Sequence, residues 1–248
     1  MITQAVLIQT GPDDYQQGYA AIAAVEQTIA AGNQVQQVFF YGPGVLYASA
    51  LLNFPHGIEN LQQRWQQLSA QHGFELVVCA TVAAEYGVSS EPSPVGALAA
   101  GFVAGGLTEW VTCLANTQQL IQFPTADAQP PVPAASAHSP WLFVFSSHAG
   151  KAQARHGLDM LMLAVSFDIP CQAFYQSSAL SQLQRPTTPY DSLKKLGLLP
   201  DIFDFNDFYV SSNDVQQLNS STLKVAVTPV TLTELTAMQQ QARHIIYF

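Results

Sequence analysis

Short apolar runs alternate with longer segments of helical periodicity along almost the whole chain. Residues 5–9 read as a buried strand that ends in a Gly-Pro loop, and residues 15–31 carry apolar side chains at helical spacing. A second strand-like run at 35–40 and a helix at 60–72 continue the pattern. Strands that alternate with helices favour parallel sheets with right-handed crossovers. We therefore predict an α/β protein in which mainly parallel sheets are flanked by helices.

Residues 124–140 interrupt this alternation. This stretch contains five prolines, several Ala and Ser residues and no hydrophobic periodicity. Such a composition is typical of a semi-extended linker without a core of its own. The sequence therefore predicts a first domain at 1–123, a Pro/Ala-rich linker at 124–140 and a second domain at 141–248.

The opening pattern returns after the linker. A strand-like run at 141–147 is followed by a helix at about 152–166 and a second strand at 171–175. Further elements are expected in both halves: a helix at 96–116 in the first, and in the second a helix end at 193–199, extended runs at 201–210 and 223–227, and a terminal helix at 231–243. Both halves close on a short apolar strand. The common element order predicts a fused pair of related domains.

An apolar run in the first half ends on a cysteine. Residues 76–78 read as a buried strand, Cys79 follows, and an Ala-rich segment that can form a helix begins directly afterwards. Ligands and reactive groups lie at the carboxyl ends of strands in open parallel sheets. A helix N-terminus there favours a thiolate. Cys79 is therefore a candidate sulfur nucleophile; the alternative is a small buried apolar residue, as many free cysteines are.

The other two cysteines are predicted to be core residues. Cys113 falls within helical periodicity, and Cys171 begins a strand, which is the wrong end for chemistry. In the second half, residues 205–209 are predicted to occupy the place of Cys79, and they contain no cysteine. The second domain is thus predicted to support the first rather than to react.

Two loops are expected to converge with Cys79 because they follow the two earlier strands. Thr10 and Gly11 lie in one, and Tyr41 and Gly44 in the other. Their hydroxyls and backbone N–H groups could steady a thiolate or persulfide; ordinary strand-end punctuation is the alternative. Neither loop matches a dinucleotide-binding or P-loop motif.

Charge and composition narrow the function classes. The formal net charge is −9, and residues 1–123 hold one basic residue against eight acidic ones. Such a surface repels phosphate backbones, so direct tRNA binding is not expected. The three cysteines form no CxxC pair and the six histidines lack metal-ligand spacing, so neither metal nor cofactor is predicted. With no signal-peptide pattern at residues 1–4 and no membrane-length apolar tract, we expect a cytoplasmic protein.

Several segments resemble one known family. The loop at 10–12, the run at 38–45 and above all the stretch from Trp65 to Gly73 that leads to Cys79 resemble the DsrE/DsrF-like sulfur-relay family, in its TusD-type subunits. Gly106-Leu107 and the strand end at 122–123 extend this likeness. In the second half, residues 155–159, 196–198 and 228–229 resemble TusC-type subunits less closely. The chain thus resembles a TusD–TusC fusion.

This resemblance implies two tandem flavodoxin-like domains and a sulfurtransferase that carries sulfane sulfur as a persulfide on Cys79. It implies a TusA-like donor, a TusE-like acceptor, a TusB-like subunit, a hetero-oligomer, and 2-thiolation of wobble uridine in tRNA. The chain departs from the family in two respects. The family's subunits are separate chains, whereas residues 124–140 join them here. Tyr86 stands at a position where a TusD-type subunit of the family has a basic residue. Two alternatives stay open: a DsrE/DsrF-type subunit of sulfur oxidation, and a non-catalytic small-ligand or subunit-interaction module.

Overall fold

The chain forms two compact units, Met1–Ala128 and Gln129–Phe248. A computed structural model describes residues 1–124, 136 and 138–248. The predicted linker at 124–140 falls mostly outside the described residues. None of the helices within the described ranges is long and apolar enough to cross a membrane.

The first unit contains five strands and four α-helices. They follow one another as β1 (Thr3–Ile8), α1 (Tyr15–Ala30), β2 (Gln34–Phe40), a 3₁₀ helix (Gly42–Ala48), α2 (Leu61–His72), β3 (Glu75–Cys79), α3 (Ala80–Glu85), β4 (Phe102–Gly105), α4 (Leu107–Ala115) and β5 (Gln119–Phe123).

The second unit repeats this order with shorter middle elements. It contains β6 (Trp141–Phe145), α5 (Ala152–Ser166), β7 (Cys171–Tyr175), 3₁₀ helices (Ser177–Leu183 and Lys194–Leu198), α6 (Leu199–Phe203), β8 (Phe208–Ser211), two 3₁₀ turns (Val215–Gln217 and Ser220–Thr222), β9 (Thr228–Val230), α7 (Leu232–Gln241) and β10 (His244–Tyr247).

Both sheets have the same topology. The first has the order β4-β3-β2-β1-β5 and the second the order β9-β8-β7-β6-β10, with parallel pairing between neighbouring strands throughout. In each, the chain grows the sheet in one direction from its first strand and then returns to place its fifth strand on the other side of that first strand. The predicted class, two mainly parallel α/β sheets flanked by helices, is confirmed.

Three predicted elements were wrong in kind or position. The helix expected at 96–116 is a strand, β4, followed by α4. A four-residue strand in an apolar Gly-Ala run cannot be separated from a helix by periodicity alone. The extended run expected at 201–210 contains the end of α6 before β8, and the run expected at 223–227 precedes the strand β9.

Backbone hydrogen bonds show how closely the strand ends of the two units correspond. Tyr41 donates its backbone N–H to the Ile8 carbonyl at 2.8 Å, and Gln176 donates to the Phe145 carbonyl at 3.0 Å. In both units a six-residue loop joins the first strand to its helix, and a seven-residue 3₁₀ helix follows the second strand. The first residue of each 3₁₀ helix has a positive φ, 51° at Gly42 and 54° at Ser177.

A second pair of bonds extends the correspondence to the segment before the fourth strand. Ala99 donates its backbone N–H to the Ala48 carbonyl at 2.8 Å, and Lys224 donates to the Leu183 carbonyl at 2.8 Å. Residues of the two units can therefore be compared position by position at the carboxyl edges of the sheets.

Candidate functional site

Cys79 is the last residue of β3 and the residue that precedes the first turn of α3. Its backbone is extended (φ −63°, ψ 109°), and in the ladder with β4 it lies opposite Gly105. The predicted placement of the cysteine, at the carboxyl end of a parallel strand and before a helix, is therefore the one observed. The helix itself is short, with six residues.

The protein surrounds Cys79. The residue is 2 % exposed, and Val78 before it and Val82 and Ala83 in α3 are buried as well. The 3₁₀ helix Gly42–Ala48 contacts both β3 and α3. In this conformation the side chain therefore lies beneath the surface of its own unit.

A carboxylate lies next to the strand that pairs with Cys79. Glu109 in the first turn of α4 accepts a hydrogen bond from the Gly106 N–H at 3.1 Å. A methyl group added at Gly105 would collide with the same Glu109 carboxylate and with Val77. Because Gly105 has no side chain, the Glu109 carboxylate and the Val77 side chain of β3 can both pack against its backbone.

The unit that contains Cys79 carries far more acidic than basic side chains. Arg64, the single Lys or Arg of residues 1–123, forms an ion pair with Glu26 of α1. Burial, with the charge of Glu85 as a second cause, raises the pKa of Tyr86 at the end of α3. The helix that follows Cys79 therefore carries an acidic residue, Glu85, and no basic one.

The two loops predicted to support Cys79 lie side by side at the same sheet edge. A methyl group at Gly11 would lie 3.5 Å from the Pro43 side chain, which places the first loop against the second. Thr10 is buried, and Tyr41 is buried with its ring stacked on Phe39 at a centroid distance of 5.9 Å. A methyl group at Gly44 would collide with the Ile8 carbonyl, so this position requires glycine for close packing. The supporting role of these residues stays a prediction.

The remaining cysteines lie elsewhere. Cys171 is buried at the start of β7, and burial raises its pKa far above the ordinary thiol range. Cys113 is half-buried in α4 and lines a cavity of about 430 Å³ near the amino ends of β2 and β3, and burial raises its pKa also. All three cysteines are outside disulfide bonds.

Ser211 occupies in the second unit the position of Cys79 in the first. Val78 lies opposite Phe40 and Val210 opposite Tyr175, so the next residues, Cys79 and Ser211, correspond. The sequence predicts the equivalent position at 205–209, which is wrong by two residues because α6 and the loop after it precede β8.

The second unit has a cavity that no sequence motif predicts. It measures about 520 Å³ and lies where the β6–α5 loop meets the 3₁₀ helix after β7. Lys151, Arg155 and Lys224 contribute to its wall, and Asp191 is the one carboxylate of the described wall. A signal was present in the sequence, since seven of the eight Lys and Arg residues lie after residue 140.

Comparison with known proteins places the first unit in a family. The model of the DsrE/DsrF-like family matches residues 4–123. The chain is 36 % identical over 125 residues to the sulfurtransferase TusD of Serratia proteamaculans, covering 47 % of this chain and 96 % of that protein. It is 36 % identical over 124 residues to the sulfurtransferase TusD of Erwinia tasmaniensis, covering 47 % and 97 % respectively.

Among solved structures, the YchN protein from E. coli is similar at 17 % identity and a TM-score of 0.42, covering 50 % of this chain and all of that one. The two TusD relatives are matched over nearly their entire length at more than a third identity. The chain belongs to the DsrE/DsrF-like family.

Proposed function

We propose that this protein is a sulfurtransferase that carries sulfane sulfur as a persulfide on Cys79. One observation supports this above the others: within the region matched by the family, the single thiol at a strand's carboxyl end is Cys79. Its relatives along that region are sulfurtransferases by name. The second unit has Ser211 at the equivalent place, so the sulfur is carried by the first unit alone.

The transfer is a thiol–persulfide exchange. The Cys79 thiolate attacks the terminal sulfur of a donor persulfide, a bond forms between the two sulfurs, and the donor's S–S bond breaks. The donor leaves as a thiolate, and Cys79 becomes a persulfide that a later thiol attacks in the same way. Each step moves one sulfane sulfur atom from one thiol to another, so donor and acceptor together undergo no net oxidation or reduction. The thiols must stay reduced between cycles, which favours a reducing compartment such as the cytoplasm.

Burial of Cys79 sets a condition on this chemistry. Attack requires the two sulfurs to meet along the S–S axis, and a residue with 2 % exposure does not meet a protein thiol in that way. The α3 region, or the 3₁₀ helix that contacts it, has to move when a partner docks. The exchange is therefore gated by docking, which also protects the persulfide from small thiols between encounters.

The downstream steps extend the proposal to protein partners. A TusA-like donor supplies the sulfur, a TusE-like acceptor takes it for 2-thiouridine formation at tRNA wobble positions, and a TusB-like subunit joins the assembly. The eight acidic residues of 1–123 support transfer between proteins, with the tRNA bound elsewhere, because an acidic surface repels a nucleic-acid backbone.

The test is the intact mass of the purified chain after incubation with a persulfide donor. We expect the gain of one sulfur atom in the wild-type chain, its complete loss in Cys79→Ser, and its retention in the matched variant Cys113→Ser. Sulfur on Cys113 or Cys171, or none at all with both a small donor and a TusA-like protein donor, overturns the proposal.

The burial of Cys79 also favours a second candidate, a non-catalytic subunit-interaction module in which Cys79 is a core residue. The same experiment separates the two functions. A module gains no sulfur from the protein donor, and Cys79→Ser then alters only its stability.

A further inference from the structure

The cavity of about 520 Å³ in the second unit, hereafter the unit 2 cavity, has an unusual charge for this chain. Three of the eight Lys and Arg residues of the protein line it, together with a single carboxylate in the described wall. The whole chain carries a formal net charge of −9. A concentration of cations in one concave place of an acidic protein is a feature of anion-binding sites.

Lys151 occupies a position where a lysine is unfavourable for folding. It is the residue before the first turn of α5, a 15-residue helix, and its side chain makes no capping hydrogen bond. A cation at the positive end of a helix dipole is destabilising. The corresponding residue of the first unit, Asp14, caps α1 by accepting a hydrogen bond from the Gln17 N–H at 3.2 Å. At the N-cap position, the second unit therefore has Lys151, which the helix dipole repels, where the first unit has Asp14, which stabilises its helix.

Lys224 is a second departure of this kind. Its side chain is 6 % exposed and contacts both carboxylate oxygens of Asp191, at 2.9 and 2.8 Å. The first unit has Ala99 at this position and makes the same backbone hydrogen bond without any cation. A buried ion pair adds little to stability compared with apolar packing. The fold thus does not require Lys224. Residues that are unfavourable for folding at their own position are found most often at functional sites.

Further donors line the same cavity. His148 accepts the Gly150 N–H on Nδ1 at 3.1 Å, so Nε2 carries the proton and is a donor. Arg155 lies one helical turn after Lys151 and therefore on the same side of α5. The first residue of α5, Ala152, also lines the cavity, and the first N–H groups of a helix bind phosphate readily.

We propose that the unit 2 cavity binds the phosphate group of a small phosphorylated molecule. The cations and the start of α5 hold the phosphate, and the volume decides the size of the ligand. Small-molecule sites measure about 300–1,000 Å³, so about 520 Å³ accommodates a whole metabolite. Tyr190, an exposed aromatic residue of the wall, provides a flat surface for a ring. This site is independent of Cys79 and of the sulfur chemistry.

The test is isothermal titration of the full-length chain with three probes: inorganic phosphate, adenosine monophosphate and adenosine. We expect the two phosphate-bearing probes to bind and adenosine to give no heat. Absence of binding by both phosphate-bearing probes overturns the proposal, and so does adenosine binding as tightly as its monophosphate.

Two variants with the same change in charge locate the site. Lys151→Asp places in the second unit the residue that caps α1, so we expect an unchanged or higher melting temperature and at least a tenfold weaker affinity for adenosine monophosphate. Lys194→Asp changes an exposed lysine outside the cavity and is expected to change the affinity less than twofold. Equal weakening in both variants, or none in Lys151→Asp, overturns the proposal. Cys79→Ser should bind like the wild type, which separates this result from the fate of the sulfur-carrier proposal.

Discussion

The two units have the same strand order and the same hydrogen bonds at their strand ends, yet they differ in chemistry at three corresponding positions. The first unit has Cys79 where the second has Ser211. The first has an acidic cap and an alanine where the second has Lys151 and Lys224. The comparison teaches that the backbone of this fold accepts different side chains at these three positions. Each unit could therefore acquire a different site without altering its core.

The largest difference between the units is expected in the effect of replacing Cys79 or its counterpart Ser211 on the gain of sulfur. Cys79→Ser should abolish the gain of sulfur, since a hydroxyl cannot form a persulfide, whereas Ser211→Ala should leave it unchanged. Intact-mass measurement of both variants after treatment with the donor checks this. If Ser211→Ala lowered the amount of sulfur bound, the second unit would take part in the transfer and the division of roles would be wrong.

The next difference concerns the packing of the 3₁₀ helix. Gly44 corresponds to Ala179, but a methyl group at Gly44 would collide with the Ile8 carbonyl, which is backbone and cannot move aside. Gly44→Ala should therefore destabilise the first unit by about 2–3 kcal/mol. Hydrogen exchange measured by mass spectrometry assigns the loss to this unit.

Gly106→Ala is the matched control, because its nearest heavy atom would lie 3.9 Å away. We expect a cost of about 0.5–1 kcal/mol, because Gly106 is the N-cap of α4 and glycine is a better N-cap than alanine. A Gly44→Ala variant as stable as this control would show that the two 3₁₀ helices are interchangeable.

Exchanging the helix N-cap residues should change stability in opposite directions: Asp14→Lys should destabilise the first unit, whereas Lys151→Asp should not destabilise the second. Asp14→Lys removes a capping acceptor and adds a repulsive charge, so it should destabilise the first unit by about 1 kcal/mol. Asp13→Lys changes the charge equally without removing the cap, and it should have a smaller effect. Urea denaturation of both variants measures the difference, and equal effects would attribute it to charge alone.

The smallest effect is a dependence on pH in the second unit. Glu234 accepts hydrogen bonds from the Thr231 backbone N–H at 2.7 Å and from its hydroxyl at 2.8 Å, and these bonds lower the pKa of Glu234 below its ordinary 4.5. A lowered folded-state pKa contributes stability that is present above pH 4.5 and is lost as the pH falls through the folded-state pKa.

In Glu234→Gln, the stability of the second unit should therefore fall less steeply as the pH is lowered than it does in the wild type. Stability measured from pH 6 down to pH 3, a range of roughly three units around the ordinary glutamate pKa, follows the change. An acid side as steep in Glu234→Gln as in the wild type would contradict this account.

Much of the fold could be predicted from the sequence because strands such as β1, β3 and β6 are largely buried and contain continuous apolar runs. The boundaries of α1, α2 and β3 follow from such runs and from capping residues at their ends. β4 could not be predicted, since four apolar residues in a Gly-Ala context fit a helix equally well. The location of Cys79 at a strand end was likewise readable, because it depends on local order along the chain.

The sequence by itself determined the α/β class, the two related halves and the single cysteine between a strand and a helix. These follow from periodicity and residue order, which are local properties. Only the tertiary structure decided that Cys79 is covered, that Ser211 is its counterpart, and that Lys151, Arg155 and Lys224 line one cavity. Burial and the meeting of residues far apart in sequence depend on how strands pair and loops pack, and no local pattern encodes them.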